Sequence, residues 1–365
     1  MKRGLAIAGA VLAAAAVSLC LSGCANVGYY WQSFSGHMAM LNAARPVGDW
    51  LADEQAPPRL KERLALSQRI RDFAASELKL PENTSYRRYA DLKRSAVVWN
   101  VVAAQPYSLQ LKTWCFPVTG CVSYRGYFDE AAARAEAEGL RAEGFEVGVY
   151  GVPAYSTLGW MNWAGGDPLL NTFIAYPEGE LARMIFHELA HQVLYVKDDT
   201  MFNESFATAV ERLGGERWLA AHASDAVKEE YTQFDSRRRQ FRVLTLQVRR
   251  ELDVIYKDRQ AGRLAEPAAA AAKAEALRSF RERYEVLKAG WGGFAGYDSW
   301  VARANNALFG AQAAYDELVP GFESLFEREG RDWQRFYDAA RKLAAQPKNE
   351  RREVLGKPTK ETSGA

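Results

Sequence analysis

The sequence predicts an α+β fold in which helices predominate, and three observations lead to this prediction. Apolar residues recur at helical spacing through most of the chain. Valine-rich segments bounded by turn-forming residues are confined to residues 95–152, which predicts a small β-sheet. Two long charged helical patterns follow one another over residues 223–290, joined by a short turn containing Gly262 and Pro267. We expect these two helices to form an antiparallel hairpin that protrudes from the core.

The first 23 residues have the pattern of a signal peptide, with Lys2 and Arg3 ahead of an apolar, alanine-rich run. The sequence LSGC at residues 21–24 resembles the lipobox of bacterial lipoproteins. That resemblance implies cleavage before Cys24 and acylation of this cysteine; the alternative is plain secretion. Because Ala25 is not the aspartate associated with inner-membrane retention, we expect a lipid anchor in the outer membrane of the cell envelope, with the protein facing the periplasm.

The charge balance indicates that nucleic acid is not a partner. Apart from Lys2 and Arg3 in the signal peptide, basic and acidic residues are equal in number. No segment of the chain carries the concentrated basic patch that is typical of nucleic-acid binding.

Two cysteines remain beyond the targeting segment, Cys115 and Cys121. They are separated by five residues that include Pro117 and Gly120, which favour a turn. In an oxidising compartment such an even pair predicts a disulfide that staples a short loop.

Beyond the signal peptide, the 365-residue chain divides into four regions. Residues 24–222 hold the first helices, the strands and the principal motif, 223–290 the hairpin, and 291–344 the C-terminal helices that pack on the core. Residues 345–365 are polar and predict a disordered tail. The hairpin is most simply a packing arm with a solvated charged face, and a protein partner bound through it stays an open alternative.

Within the first large region the elements follow in a clear order. A helical pattern runs to about Leu80 and is followed by valine-rich strand candidates. The next helix is expected to begin at Asp129 and to end at Gly144, with another strand after it. Residues 153–180 have the character of strand and loop, and lead directly into the principal motif.

That motif is FHELAHQ at residues 186–192, in a predicted helix from about Glu180 to Val196. The helix is apolar around nearly its whole circumference, so it is expected to be buried. Burying His187, Glu188 and His191 without partners would cost several kcal/mol. Residues four positions apart share a helix face, so both imidazoles can reach one metal ion, as in the HExxH pattern of zinc hydrolases. A pair of buried histidines satisfied by ordinary hydrogen bonds is the alternative.

A catalytic zinc site takes three protein ligands, so a third is needed. The position of a third histidine in the extended motif is Lys197, which excludes that variant. A second helix is predicted from Asp199 or Thr200 to Gly214, and Glu204 and Glu211 lie on one of its faces. An Asn-Glu pair on the helix after HExxH resembles the gluzincin arrangement, which implies Glu204 as the third ligand. Glu211 is the other candidate for the third ligand; otherwise it lies on the surface or contacts a ligand without binding the metal.

The motifs together resemble the family of predicted bacterial zinc aminopeptidases, whose members are often lipoproteins. The resemblance implies a gluzincin-like fold, one zinc ion per chain and an aminopeptidase activity on peptides. In this sequence the third ligand follows His191 more closely than in better-known gluzincins, and Thr208 stands where thermolysin-like enzymes have an aspartate that orients a histidine. The motifs, in chain order, are SYRGYFDEAAA, AYSTLGW, DPLL, HELAHQ, NESFAT, NNA at 305–307 and LVPGF at 318–322.

The constellation predicts hydrolysis of a peptide by a metal-activated water, with Glu188 as general base. Tyr155 and Tyr315 are candidates for stabilising the oxyanion. An endopeptidase is the first alternative. The second is a non-enzymatic cell-envelope binding or assembly lipoprotein whose metal site is structural or degenerate, although a structural site would not need Glu188.

Substrate-binding residues are predicted from the gluzincin analogy. By that analogy residues 154–160 would form an edge strand that pairs with extended substrate, and a core strand and turn is the alternative. Ser156 lies in this segment, Gly159 would allow close approach, and Trp160 would wall the cleft. Arg125 is expected to pair either with a substrate carboxylate or with an acidic side chain of the protein.

Overall fold

A computed structural model describes residues 28–116 and 120–356, with the side chains of 313–316 left out. The described chain is predominantly helical with three small sheets, which confirms the α+β class. The signal peptide and Cys24 lie outside these residues. Within them, no helix combines the length and the apolar character needed to span a bilayer.

The helices and strands alternate in the first half of the chain, and helices alone fill the second half. The helices are α1 (28–43), α2 (Val47–Ala52), α3 (Pro58–Ser76), α4 (Glu130–Ala142), α5 (Glu178–Val193), α6 (Thr200–His222), α7 (Asp225–Gln260), α8 (Glu266–Gly290), α9 (Asp298–Ala302), α10 (Asn306–Asp316), α11 (Val319–Arg328), α12 (Trp333–Ala344) and α13 (Lys348–Gly356). The strands are β1 (Arg45–Pro46), β2 (Arg88–Ala90), β3 (Val98–Ala104), β4 (Trp114–Phe116), β5 (Gly120–Val122), β6 (Arg125–Tyr127), β7 (Glu146–Val152) and β8 (Leu169–Leu170).

The largest sheet has the order β6-β3-β7, with both pairings antiparallel. Every residue of β3 is buried, because α4 covers one face of the sheet and α10 part of the other. This explains why β3 is a valine-rich run without polar alternation. The β1-β2-β8 sheet lies elsewhere in the core, and β4 and β5 form a hairpin closed by the predicted disulfide between Cys115 and Cys121.

Helix α5 runs through the main core, as its apolar sequence predicts, and packs lengthwise against α6. Helix α6 continues to His222, so the expectation that Gly214 ends it is wrong. A Cβ added at Gly214 would lie 2.7 Å from Leu78 Cδ1, and one at Gly215 would lie 2.9 Å from Arg183 Cγ. These two glycines therefore allow close packing of α6 against its neighbours.

Helices α7 and α8 form the predicted antiparallel hairpin, with the predicted apolar stripes facing each other. The hairpin does not protrude, however. The Tyr256 hydroxyl donates to Asn306 Oδ1 at 2.6 Å, and Lys273 pairs with Glu146 of β7. Phe280 of α8 lies against Phe309 of α10 with ring centroids 5.3 Å apart. The same apolar stripe thus packs on the core as well as within the hairpin.

Within the predicted disordered tail, residues 348–356 form α13 instead, and residues 357–365 lie outside the described residues. Arg351 is buried and its guanidinium lies 2.8 Å from Asp199 Oδ2. The backbone of Leu355 lies so close to Gly321 that a Cβ there would be 2.2 Å from the Leu355 oxygen. A buried ion pair and one close helix contact fix a segment that has few apolar residues.

Candidate metal centre

Helices α5 and α6 bring three potential metal ligands together. The Nε2 atoms of His187 and His191 lie 3.2 Å apart. Oε2 of Glu204 lies 3.4 Å from the first of these nitrogens and 3.6 Å from the second. All three residues are largely buried, and their ligand atoms form a group that can hold a metal ion.

The connection between the two helices fixes their register. The Asn203 side chain makes two hydrogen bonds to the backbone of Val196 in the linker: its Oδ1 accepts from Val196 N at 2.7 Å, and its Nδ2 donates to Val196 O at 2.8 Å. Asp199 caps α6 by accepting from Phe202 N, and it also binds Arg351 of α13. The Asn of the Asn-Glu pair therefore holds the start of α6 in place, so that Glu204 on the next position faces α5.

Glu188 lies between the two histidines in sequence and lines the same cavity. Burial raises the pKa of its carboxyl, and the two neighbouring histidines act in the opposite direction. It is absent from the group of ligand atoms formed by His187, His191 and Glu204. Its carboxyl therefore lines the cavity close enough to both imidazoles to interact with their charges, without being one of the three ligands.

Glu211 contacts the Nδ1 side of the His187 ring, away from the Nε2 atoms of the cluster. Its Oε2 lies 3.0 Å from His187 Nδ1, and its Oε1 accepts from the guanidinium of Arg183. Burial raises the pKa of Glu211, but Arg183 and His187 outweigh it and lower that pKa to about 2. A carboxylate at Nδ1 favours the tautomer whose Nε2 lone pair points toward His191 and Glu204.

Arg183 extends this arrangement to α7. It is buried, and a second carboxylate, Oδ1 of Asp235, lies 3.5 Å from its guanidinium. Its guanidinium also donates to the Tyr231 hydroxyl. Arg183 thus connects the histidine-orienting carboxylate to the start of the helical hairpin.

A cavity of about 870 Å³ includes the cluster in its lining. Aromatic and aliphatic side chains of α1, the sheet and the β4-β5 hairpin form part of its wall, including Tyr30, Phe116 and Phe128. Helix α7 forms another part of the wall, including Arg239 and Phe241. The size suits several residues of a peptide or a ligand of similar volume.

Among the tyrosines that line the cavity, Tyr124 and Tyr195 lie close enough to Glu204 to feel its charge, and Tyr155 is a third. Tyr155 is one of the predicted oxyanion candidates, and burial raises its pKa to about 12. Tyr124 and Tyr195 also line the cavity, and burial followed by the charge of Glu204 raises the pKa of each. All three keep their hydroxyl protons at neutral pH and can act as hydrogen-bond donors. Tyr315 lies on α10, and its side chain is outside the described part of the structure.

The segment 154–160 is not the edge strand expected from the gluzincin analogy. Leu158 and Gly159 have positive φ values of 56° and 79°, which are incompatible with an extended strand. The backbone N–H of Thr157 donates to Asp167 Oδ2 at 3.0 Å, and its hydroxyl donates to Oδ1 at 2.8 Å. The segment is therefore a loop held by a buried carboxylate, and Ser156 lines the cavity together with Ala154, Tyr155 and Leu158.

Asp167 belongs to a polar network that reaches α5. Its backbone N–H donates to Ser85 Oγ, which also accepts from Gln192 Nε2 at 3.2 Å. Gln192 follows His191 in sequence and accepts from Asn83 Nδ2 at 2.7 Å. Burial raises the pKa of Asp167 to about 6, although the hydrogen bonds from Thr157 oppose the shift.

Three predicted substrate-binding residues lie outside the cavity lining. Arg125 is 3.3 Å from Glu136 Oε1 and stacks over the ring of Tyr29, so the protein itself supplies its partners. Gly159 faces Gln192 at the end of a tight turn. Trp160 projects into solvent and does not wall the cleft.

Sequence reasoning missed Arg183, Tyr124, Tyr195 and Asp167. Arg183 gave a usable signal, because a lone arginine one turn before His187 in an apolar helix needs a buried acidic partner. The two tyrosines and Asp167 gave none, since their proximity to the cluster depends on how distant segments pack.

The fold and the cluster together define a predominantly helical α+β protein with an HExxH-type site that can hold a metal ion. The family described as "Putative aminopeptidase" matches residues 28–355, and the chain belongs to that family. No curated protein and no solved structure matches the chain.

Proposed function

We propose that the protein is a zinc-dependent aminopeptidase with a gluzincin-like catalytic centre. The observation that carries the proposal is the convergence of His187, His191 and Glu204 beside the buried carboxylate of Glu188. Zinc bound tetrahedrally at about 2.0–2.2 Å requires ligand atoms about 3.3–3.6 Å apart. The separations of 3.2, 3.4 and 3.6 Å are close to that requirement.

His187, His191 and Glu204 would hold the zinc ion, which when bound polarises the scissile carbonyl and lowers the pKa of water. Glu188 takes the proton of the attacking water and delivers it to the leaving amine. Glu211 keeps the His187 ring in the tautomer that leaves Nε2 free to ligate.

A tyrosine hydroxyl supplies the hydrogen bond to the developing oxyanion. Tyr155, Tyr124 and Tyr195 are the described candidates, because each lines the cavity and stays protonated at neutral pH. The cavity would hold an extended peptide between its aromatic wall and α7, whose residues line it.

Family membership supports the choice of an aminopeptidase over an endopeptidase. The two activities are separated by comparing a peptide that has a free amino terminus with its N-acetylated form. An aminopeptidase cleaves only the first peptide, and cleavage of both at an internal bond would replace the proposal by an endopeptidase.

We also propose that the chain is a lipoprotein of the cell envelope, anchored through Cys24 in the outer membrane and facing the periplasm. The lipobox-like sequence at residues 21–24 and the oxidised pair of Cys115 and Cys121 support this location. Intact mass of the mature N-terminal peptide tests the acylation directly.

The function is tested by zinc content and peptidase rate in the wild type, Glu204→Ala and Glu188→Gln. Glu204→Ala is expected to lose zinc and activity together, whereas Glu188→Gln keeps one zinc per chain and loses activity by a factor of at least about 10². Glu216→Ala is the matched control, because Glu216 is an exposed residue of the same helix α6. A folded wild type without zinc after incubation with the metal would contradict the proposal. Full activity in Glu188→Gln would remove the assigned general base.

A further inference from the structure

Helix α1 carries an exposed aromatic face. Trp31 is 67% exposed, Phe34 59% and Tyr30 45%. The rings of Trp31 and Phe34 lie one helical turn apart with centroids separated by 6.3 Å, so they form one continuous surface. Isolated exposed aromatic residues are common in proteins, but Trp31 and Phe34 form a contiguous exposed pair with the partly exposed Tyr30 beside them.

The opposite side of the helix is fixed to the protein, which determines the direction of the aromatic face. Gln32 Oε1 accepts from Phe128 N at 3.0 Å, and the Tyr29 ring stacks on Phe116. Further along the helix, Met40 and Leu41 are buried in or beside the main core. Trp31 and Phe34, with Tyr30 at the edge nearest the cavity, therefore form the outer side of the helix (the aromatic face).

The chemistry of this face fits a lipid bilayer. Tryptophan and tyrosine prefer the membrane interface, because their rings combine an apolar body with a polar group. Residues 28–44 contain no lysine, arginine, aspartate or glutamate. Placing the helix against lipid therefore requires no desolvation of a charged side chain.

The position of the aromatic face in the chain indicates the same occupant. Only residues 25–27 separate Cys24 from the start of α1 at residue 28. Four Cα–Cα steps span at most about 14 Å even when fully extended. If Cys24 carries the proposed lipid, the first turns of α1 must lie at the membrane surface.

We propose that the aromatic face of α1 docks on the bilayer interface and, together with the lipid at Cys24, fixes the orientation of the protein. A lipid at one residue tethers the chain without fixing its orientation, and a second apolar contact on α1 supplies that constraint. Tyr30 belongs to both the aromatic face and the cavity wall. The helix that meets the lipid therefore also forms one wall of the candidate active site. The inference depends on the proposed anchoring at Cys24 and not on the proposed chemistry.

The test is fluorescence quenching in vesicles of phosphatidylcholine whose acyl chains carry bromine, which quenches only tryptophans that touch the lipid. The full-length protein is reconstituted as wild type, Trp31→Phe and Trp163→Phe. Trp163 is the matched control, since it is 83% exposed and lies on the turn at 162–164. Quenching is expected to fall by at least half in Trp31→Phe and to stay at the wild-type level in Trp163→Phe.

Equal quenching in the wild type and Trp31→Phe would overturn docking by the aromatic face. Intact mass reports the state of Cys24 separately. If Cys24 is unmodified, the chain from Ala25, which retains every described element, decides the question by sedimentation with the same vesicles. Absence of binding would then overturn the proposal. Binding that does not depend on salt, and that the double variant Trp31→Ala, Phe34→Ala weakens at least tenfold, would support it. The peptidase activity of Trp31→Phe on a soluble peptide is expected to be unchanged. Measuring it separates a failure of membrane docking from a failure of the proposed chemistry.

Discussion

Replacing Glu211 by glutamine is expected to weaken zinc binding without removing a ligand. The carboxylate contacts two groups at once, since Oε1 accepts from Arg183 and Oε2 lies 3.0 Å from His187 Nδ1. An amide has a single acceptor oxygen, so in Glu211→Gln one donor faces an NH2 group. Residues that orient a metal-ligating histidine contribute about 10- to 100-fold to metal affinity, or about 1.4–2.7 kcal/mol.

The same substitution should also destabilise the metal-free protein. Removing one partner of a buried ion pair costs about 3–5 kcal/mol. Asp235 remains 3.5 Å from Arg183, so the lower end of that range, about 3 kcal/mol, is expected. Urea unfolding in the presence of a chelator measures this loss, and competition with a chromogenic chelator measures the zinc affinity.

Asp235→Asn is the control that separates the two effects. Asp235 contacts Arg183 but is not paired with His187, so this variant should lose stability and keep the zinc affinity of the wild type. Wild-type zinc affinity in Glu211→Gln would refute the orienting role of Glu211. Equal weakening of zinc binding in both variants would show that Arg183 packing, and not the carboxylate at Nδ1, is responsible.

Three further outcomes are expected. Burial raises the pKa of Asp167 in the folded protein from 3.8 to about 6. The protonated carboxyl therefore stabilises the folded protein below about pH 4, and this stabilisation is lost as the pH rises to about 6. The loss is at most about 3 kcal/mol. Urea midpoints between pH 4 and 7 should therefore fall less steeply in Asp167→Asn, and a constant difference from the wild type would contradict the raised pKa. Phe280→Ala should lower the free energy of unfolding by about 3–5 kcal/mol, because Phe280 is fully buried between the hairpin and the core. The exposed Val286→Ala should change it by less than about 0.5 kcal/mol. Similar values for both would contradict the burial of Phe280. Reducing the disulfide of Cys115 and Cys121 should cost about 2 kcal/mol, measured by thermal unfolding with and without a thiol, and an unchanged transition would show that the loop is held by its other contacts.

Local spacing was sufficient for the central motif. His187 and His191 share a helix face because a helix turns every 3.6 residues, whatever surrounds it. The disulfide between Cys115 and Cys121 and the facing stripes of α7 and α8 are likewise properties of short sequence ranges. These features could be predicted without knowing where any distant segment lies.

Elements that depend on contacts with distant segments were predicted wrongly. The loop at 154–160 was expected to be a strand, but Asp167 holds Thr157 in place. Helix α13 was expected to be disordered, but its Arg351 binds Asp199. In both cases a buried polar partner far away in the sequence overrides a weak local preference.

The sequence alone determined that two histidines and a glutamate lie on a buried helix, and that a following helix offers two more carboxylates on one face. Only the tertiary structure decided between those carboxylates. Glu204 and Glu211 are about two turns apart on α6, and the packing of α6 against α5 places Glu204 at the Nε2 atoms and Glu211 at Nδ1 of His187. Periodicity specifies the face on which a side chain lies. The register between two helices depends instead on contacts such as the hydrogen bonds of Asn203 to Val196 and the close packing of Phe186 against Gly214.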